Sequence, residues 1–443
     1  MAEAQDNAFA AQANDDVIEF PSLDELDMST PIPDPYDIPV EEIYPANERL
    51  FKEDKIEGFF KRLREEDPVH FNETEFTGRF WNLTRYEDIK MVDQDDARFS
   101  SAKGFVLGPR LDAKLPEDSL NALTLPMFIG MDNPVHNDQR KTVSPIVGPS
   151  SLARMEPIIR QRVQDILDNL PVGETFNWVD RVSIELTTQM LATLFDFPFE
   201  ERSKLTYWSD VATAQVGTGI IESEEHRNQI MMECVTYFAQ LFAERQANPG
   251  HDLLSMLAHG EHTKHMNPME HLGNLLLLIV GGNDTTRNSL SGGVVALNRY
   301  PEQFAKLRAD HGLVPNLVAE IIRWQTPLAH MRRTANEDCE IGGKQIRQGD
   351  QLVMWYLSGN RDESVFERGD ELIVDRPNAR QHLSFGFGVH RCMGNRLAEM
   401  QIRIAWEEIL KRFSNIEVVG EVERTMSAFV RGYTDVPVIV HPK

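Results

Sequence analysis

Four groups of residues in this sequence combine types and spacings that can do chemistry. The first is Phe385-Gly-Phe-Gly-Val-His-Arg-Cys392-Met-Gly394, which runs into a helix expected from about Asn395. Gly386 and Gly388 admit backbone angles closed to other residues and let the chain pass close to a flat ligand, and Gly394 lets the next helix sit equally close. A thiol held there can ligate a metal. The helix N-terminus beside it is expected to lower the Cys392 pKa and favour the thiolate. The alternative is a tight turn around a buried free cysteine. The second group is Gly281-Gly282-Asn-Asp284-Thr285-Thr286, two glycines and an acid placed inside a long apolar helix, each costly there. An alcohol beside a carboxylate can order water and pass protons. The same letters also fit a threonine bonded back to the carbonyl four residues earlier and an Asp284 in a surface ion pair. The third is Glu320-Ile-Ile-Arg323, opposite charges three apart on one helix face, which spacing alone reads as an exposed pair of little value. The fourth is a scattered set of basic residues: His136 and Arg140 at i and i+4, Arg332-Arg333, and His390 two residues before Cys392.

The elements that must position these groups are legible in outline. Asn267-Pro-Met-Glu270 supplies an N-cap, a proline at the first helical position and a glutamate three residues after the cap, so a helix is expected from there to Tyr300, before Pro301. At 1.5 Å per residue it spans roughly 50 Å. Leu275 to Val280 is apolar on every face and is expected to be buried. Asn133-Pro134 opens a helix carrying His136 and Arg140, and a helix between Pro315 and Pro327 carries Glu320 and Arg323. Phe51 to Arg64 reads as one helix and Val69 to Asn82 as a hairpin turning at Thr77-Gly78. Ser151 to Ala247 reads as mostly helical, with breaks at Pro171-Val-Gly173 and Pro198 and a stop at Asn248-Pro-Gly250.

Composition narrows the class. Residues 1–45 hold twelve Asp or Glu, six Pro and no Lys or Arg, and read as a mobile acidic arm whose Phe20, Tyr36 and Ile38 can dock on the rest. No linker divides residues 46–443, so one large domain is expected. A net charge of −25 disfavours nucleic acid as a partner. Three distant cysteines, without a Cys-x-x-Cys pair, disfavour a disulfide framework, structural zinc and covalent c-type haem attachment, and point to a reducing compartment. With no signal peptide and a longest central apolar run of six residues, no membrane span is expected and the location is read as cytoplasmic.

The Phe385–Gly394 stretch resembles the haem-binding loop of the cytochrome P450 family, and two further motifs in the right order extend the resemblance over about residues 46–443. The resemblance implies a mainly α fold with a small β region and a long central helix over a b-type haem. It makes Cys392 the iron ligand and Asp284 and Thr285 the pair that relays protons for cleavage of O2. Gly281 and Gly282 would let O2 and substrate approach. His136, Arg140, Arg333 (favoured over Arg332) and His390 would meet the propionates, with Gly386 and Gly394 against the macrocycle. Glu320, Arg323 and Arg376 would form a buried structural triad. The substrate pocket would lie under Phe105 to Leu107, Leu277, Val280, Gly281, Leu328-Ala329 and Ala428 to Val430, Phe429 included. The chain has no Gly-x-Gly-x-x-Gly fingerprint and no iron–sulfur cysteine set, so electrons from NAD(P)H are expected through a separate ferredoxin and ferredoxin reductase. Lys141, Arg391, Arg396 and Arg403 would cluster on the cysteine side of an expected monomer, where they either dock an acidic ferredoxin or are ordinary solvated charge.

Met127 to Asp132, His136 to Arg140, Ile279 to Asn288 and Trp355 to Asp362 are similar to the bacterial subgroup that hydroxylates medium-chain alkanes and fatty acids at the terminal carbon. The alternatives are a terpenoid or steroid hydroxylase, a peroxygenase, and a haem-thiolate sensor without turnover.

Overall fold

The computed structural model describes residue 23 and residues 27–110 and 125–443. Its axis is the central helix, Pro268–Arg299. The cap forms as its letters require: Asn267 accepts from the amides of Met269 and Glu270, and the Glu270 carboxylate accepts from the Asn267 amide at 2.9 Å. Beyond Thr285 this helix is buried almost throughout, because small residues let neighbours come close. A Cβ on Gly292 would lie 2.2 Å from Gln325 Oε1, and one on Gly293 2.8 Å from Ile321. Both contacts come from the helix Val314–Gln325, which presents Glu320 and Arg323. The helix Asn395–Arg412, following Cys392, packs on the same side through Trp406.

The β region is small, and its main sheet joins residues 69–100 with residues 331–354. One sheet orders its strands Val69–Thr74, Gly78–Leu83, Gln351–Met354, Met331–Ala335, Phe99–Ser100. The first two form the expected hairpin, with Gly78 at φ +64°. Gly78–Leu83 then pairs parallel with Gln351–Met354, and Met331–Ala335 pairs antiparallel with the same strand, setting Arg332 opposite Val353 and Arg333 opposite Leu352. Side chains alternate along a strand, so these adjacent arginines leave on opposite faces.

Three expectations need correction. The segment from Phe51 to Arg64 is two helices, Glu48–Lys52 and Ile56–Glu66, because Asp54 turns at φ +56° and gives its carboxylate to Arg299 and Arg424. Between the helices Ser203–Thr213 and Glu224–Ala247 the chain leaves helix, with Gly217 and Gly219 at positive φ and Ser223 capping the next helix. The expected breaks at 171–173 and 198 are present. Leu277, Leu278 and Val280 are only half-buried, since they face a cavity. Of the N-terminal residues named above, Phe20 lies outside the described residues. Tyr36 donates to Glu65 at 2.7 Å, and Ile38 packs on the cluster that contains Phe51, Phe60 and Trp355.

Candidate active site

The cysteine loop is held from behind. Gly386 and Gly388 turn at φ +65° and +64°, and a Cβ on Gly388 would lie 2.7 Å from the Asp93 carbonyl oxygen. Asp93 is the clamp: its buried carboxylate accepts from the Phe387 amide at 2.7 Å, the Tyr356 hydroxyl at 2.8 Å and Arg333 Nη2 at 2.8 Å. Burial pushes the Asp93 pKa up, and Arg333 opposes that. The Cys392 amide closes the loop on the Phe385 carbonyl at 2.7 Å. Gly394 has an ordinary φ of −82°, and a Cβ there would meet only Cys392 Sγ, at 4.0 Å, so nothing in the protein crowds it.

The Cys392 thiol opens onto a cavity but lies well beneath the surface. Burial pushes its pKa up, while the Gly394 amide, Arg140, Arg391 and the Asn395 amide pull it down. Burial wins, contrary to the sequence expectation of a lowered pKa. The helix N-terminus alone does not make this thiolate; a bound cation would.

Around the same cavity stand His136, Arg140, Arg333 and His390, and Arg332 is not among them. The His136 and His390 rings lie 4.1 Å apart between centroids. Burial, with Arg140 beside His136 and Arg333 beside His390, holds their pKa values near about 4 and about 2, so both are neutral. Neither His136 nitrogen has a hydrogen-bond partner, nor has His390 Nδ1, whereas His390 Nε2 meets Ser101 Oγ at 3.1 Å. Arg140 donates to the Arg391 carbonyl at 2.5 Å. Buried orphan nitrogens beside two guanidinium groups suit an anionic ligand. Above a free thiol and positive-φ glycines they fit an iron porphyrin carrying carboxylates.

The central helix forms the opposite wall. A Cβ on Gly281 would meet nothing within 4 Å, so this glycine widens the cavity; Gly282 is also at the wall, but its Cβ would strike Leu191 at 2.8 Å, so it serves packing. Thr285 faces the cavity and donates to the Gly281 carbonyl at 2.8 Å. Asp284 does not face it. Its carboxylate is fully buried in a 2.8 Å ion pair with Arg287, which also reaches Asp210 at 2.9 Å, and Asn283 and Ser209 donate to it at 3.2 and 3.5 Å. Burial raises the Asp284 pKa to about 6 despite Arg287. The surface ion pair that spacing allowed is therefore an interior one. Leu277, Val280, Leu328 and Phe429 complete an apolar wall; a bridge between Leu328 and Val430 brings the last two segments together.

Behind the site, Glu320 accepts from Arg323 Nε and Nη2, both at 2.8 Å, from Arg376 Nε at 2.9 Å and from the Ile373 amide at 2.9 Å, all three side chains being buried. The proposed docking patch is thinner than expected: Arg391 and Arg396 are exposed, but Arg403 is spent on Glu156 and Glu407, both at 2.8 Å, and Lys141 lies 4.0 Å from Asp138. Sequence reasoning missed Asp93 and Tyr356, which no local motif marks.

A cysteine loop opening onto a cavity that is walled by a helix with a gap at Gly281 and ringed by imidazoles and arginines defines a haem-thiolate oxygenase. The chain belongs to the cytochrome P450 family, whose signature matches residues 184–430, and it is a P450 monooxygenase. It is 36% identical over 401 residues, 90% of this chain and 98% of its relative, to linalool 8-monooxygenase of Pseudomonas putida. It is 31% identical to the methyl-branched lipid omega-hydroxylase of Mycobacterium tuberculosis, over 87% of this chain and 91% of that protein. The solved structure of CYP153D17 from Sphingomonas sp. PAMC 26605 superposes with a TM-score of 0.81 at 48% identity, covering 89% of this chain and 98% of that one. Among the described residues no helix is long and apolar enough to cross a membrane.

Proposed function

We propose that this monooxygenase hydroxylates the terminal carbon of medium-chain n-alkanes or fatty acids, in the cytoplasm, as a monomer fed by a ferredoxin and its reductase from NAD(P)H. The reaction places one atom of O2 in a C–H bond and releases the other as water, consuming two electrons and two protons. Cys392 would hold haem, His136, Arg140, Arg333 and His390 would meet its carboxylates, and the bound group would supply the activation of O2. The chain's own residues do the rest. Leu277, Val280, Leu328 and Phe429 bind and orient an apolar substrate and exclude water, and Gly281 leaves space beside the thiol. Asp284, titrating near pH 6, takes up protons from the Asp210 side, and the Thr285 hydroxyl, next in sequence, delivers them at the cavity wall.

The observation that carries the chain-end assignment is the shape of the space. The apolar cavity shares Phe105, Met127, Ala212, Thr213 and Phe429 with a second chamber, so the two adjoin at these residues. A long chain fills both, with one end at the cysteine. The named activity of the omega-hydroxylase relative supports the same reading. A terpenoid substrate is the second reading, favoured by the higher identity to the linalool enzyme. Optical titration of the haem-loaded protein with dodecanoic acid and with linalool separates the two, followed by product analysis. A spin-state shift and terminal hydroxylation with the chain alone support the proposal; a shift with linalool alone overturns it.

A further inference from the structure

Eleven arginines among the described residues are buried. Ten have a carboxylate within salt-bridge distance: Arg62, Arg64, Arg227, Arg287, Arg323, Arg333, Arg361, Arg376, Arg424 and Arg431. Arg332 has none. Its three hydrogen bonds go to neutral acceptors, the carbonyls of Lys103 and Gly104 and the Gln351 side chain. Burial alone pulls its pKa down, to about 10. A guanidinium has five N–H donors, so two directions stay open. A buried charge without a counterion is costly, and proteins pair such charges unless a ligand supplies the partner.

Arg332 lines the second chamber, on the far face of its strand from Arg333. The chain makes room for it there: Gly104 turns at φ +113°, and a Cβ at that position would lie 1.6 Å from Arg332 Nη2. The acids of the same chamber do not compensate it. Glu224 pairs with Arg227 at 3.0 Å, and Glu48, whose pKa burial pushes up, accepts from Gln215. His330, also on this wall, is kept neutral by burial, near about 4.

We infer that Arg332 is an anion-binding residue for the substrate: the outer chamber takes the carboxylate head of a straight-chain acid while the apolar cavity takes its methyl end. This rests on the chain-hydroxylase reading above and narrows it to fatty acids in preference to n-alkanes. Loop 103–105 also hangs on Arg332, so the test must separate charge recognition from a merely structural clasp.

The test is calorimetric and optical titration of the haem-loaded, full-length protein with dodecanoate and with 1-dodecanol at pH 7.5. The parent protein is expected to bind dodecanoate at least tenfold more tightly than the alcohol, the scale of one charge-assisted bidentate contact. Arg332→Gln, which keeps amide donors for the carbonyls, should remove that preference and leave the alcohol within about twofold, and Arg332→Lys should restore part of it. Equal affinities in the parent protein, or equal losses for both ligands in Arg332→Gln, overturn the inference while the chain-hydroxylase reading stands. If neither straight-chain ligand binds, that reading falls first. The parent comparison decides the matter even where Arg332→Gln does not fold.

Discussion

Replacing Glu320 by Gln tests the idea that charge, and not merely shape, holds the support behind the cysteine loop. The substitution keeps the volume and removes the one anion facing Arg323 and Arg376. Arg323 commits all five N–H groups, two to Glu320 and three to the carbonyls of Asn360, Gly369 and Glu371. Those carbonyl bonds survive the change, but two buried guanidinium groups lose their counterion. Stranding a buried charge costs about 3–5 kcal/mol. At roughly 2.1 cal/mol/K per residue, 443 residues unfold with an entropy near ~0.9 kcal/mol/K, so Tm should fall by about 3–5 °C. Scanning calorimetry of the haem-loaded protein measures this, and the carbon monoxide difference spectrum reports whether Cys392 keeps its bond to iron. The control is Lys306→Met, which breaks a 2.8 Å pair with Asp375 whose partners are both 47% exposed. That pair is worth about 0–1 kcal/mol, and its loss should move Tm by no more than about 1 °C. If Glu320→Gln melts with the control and keeps its full spectrum, the buried-charge argument is wrong.

Three other outcomes are expected. Thr285→Ala should leave haem binding intact and cut product formed per NADH several-fold, since the hydroxyl facing the cavity beside Gly281 is gone; unchanged coupling would refute the relay. Asp284 holds its proton to about pH 6 in the folded chain against 3.8 as its ordinary value. Between those values the folded state binds more protons than the unfolded, so this group's contribution to stability falls as pH rises through that window and is flat above it. Asp284→Asn should erase that slope in urea midpoints measured from pH 4.5 to 7, and an unchanged slope would show that another group sets it. Gly388→Ala combines a φ of +64° with a 2.7 Å clash on the Asp93 carbonyl, and should lower stability by more than the ~1 kcal/mol that a positive φ alone costs. Gly343→Ala, at φ +79° with nothing within 4 Å, is the matched comparison in the same urea series, and equal losses would remove the clash from the account.

Much of this architecture is written locally. The capping box at Asn267 and the hairpin at Gly78 depend on residues within a few positions, so their letters suffice. The Glu320 triad needed more than spacing, because i,i+3 charges look the same buried or exposed; only the family resemblance pointed inward. Asp93 was invisible, lying 294 positions from the Phe387 amide it holds, in an acidic stretch that reads as surface. Asp284 and Thr285 are neighbours in sequence, but their letters did not show which of them meets the cavity. On a helix neighbours diverge by about 100°, which turns the acid to Arg287 and the alcohol to the cavity. The Cys392 pKa was misjudged for a related reason: the helix amides were visible in the sequence, but the depth of burial was not.

The strand Met331–Ala335 acts as a party wall between two rooms. One residue of its zigzag, Arg333, faces the cavity beside Cys392 and its neighbour Arg332 faces the outer chamber, so on the proposals above cofactor retention and substrate choice would be written in consecutive codons. A single-residue insertion or deletion upstream in this strand would exchange the two faces, sending Arg332 toward the cysteine cavity and Arg333 away from Asp93. Libraries aimed at new substrates should therefore hold the strand's length fixed and keep, at position 332, a donor for the Lys103 and Gly104 carbonyls.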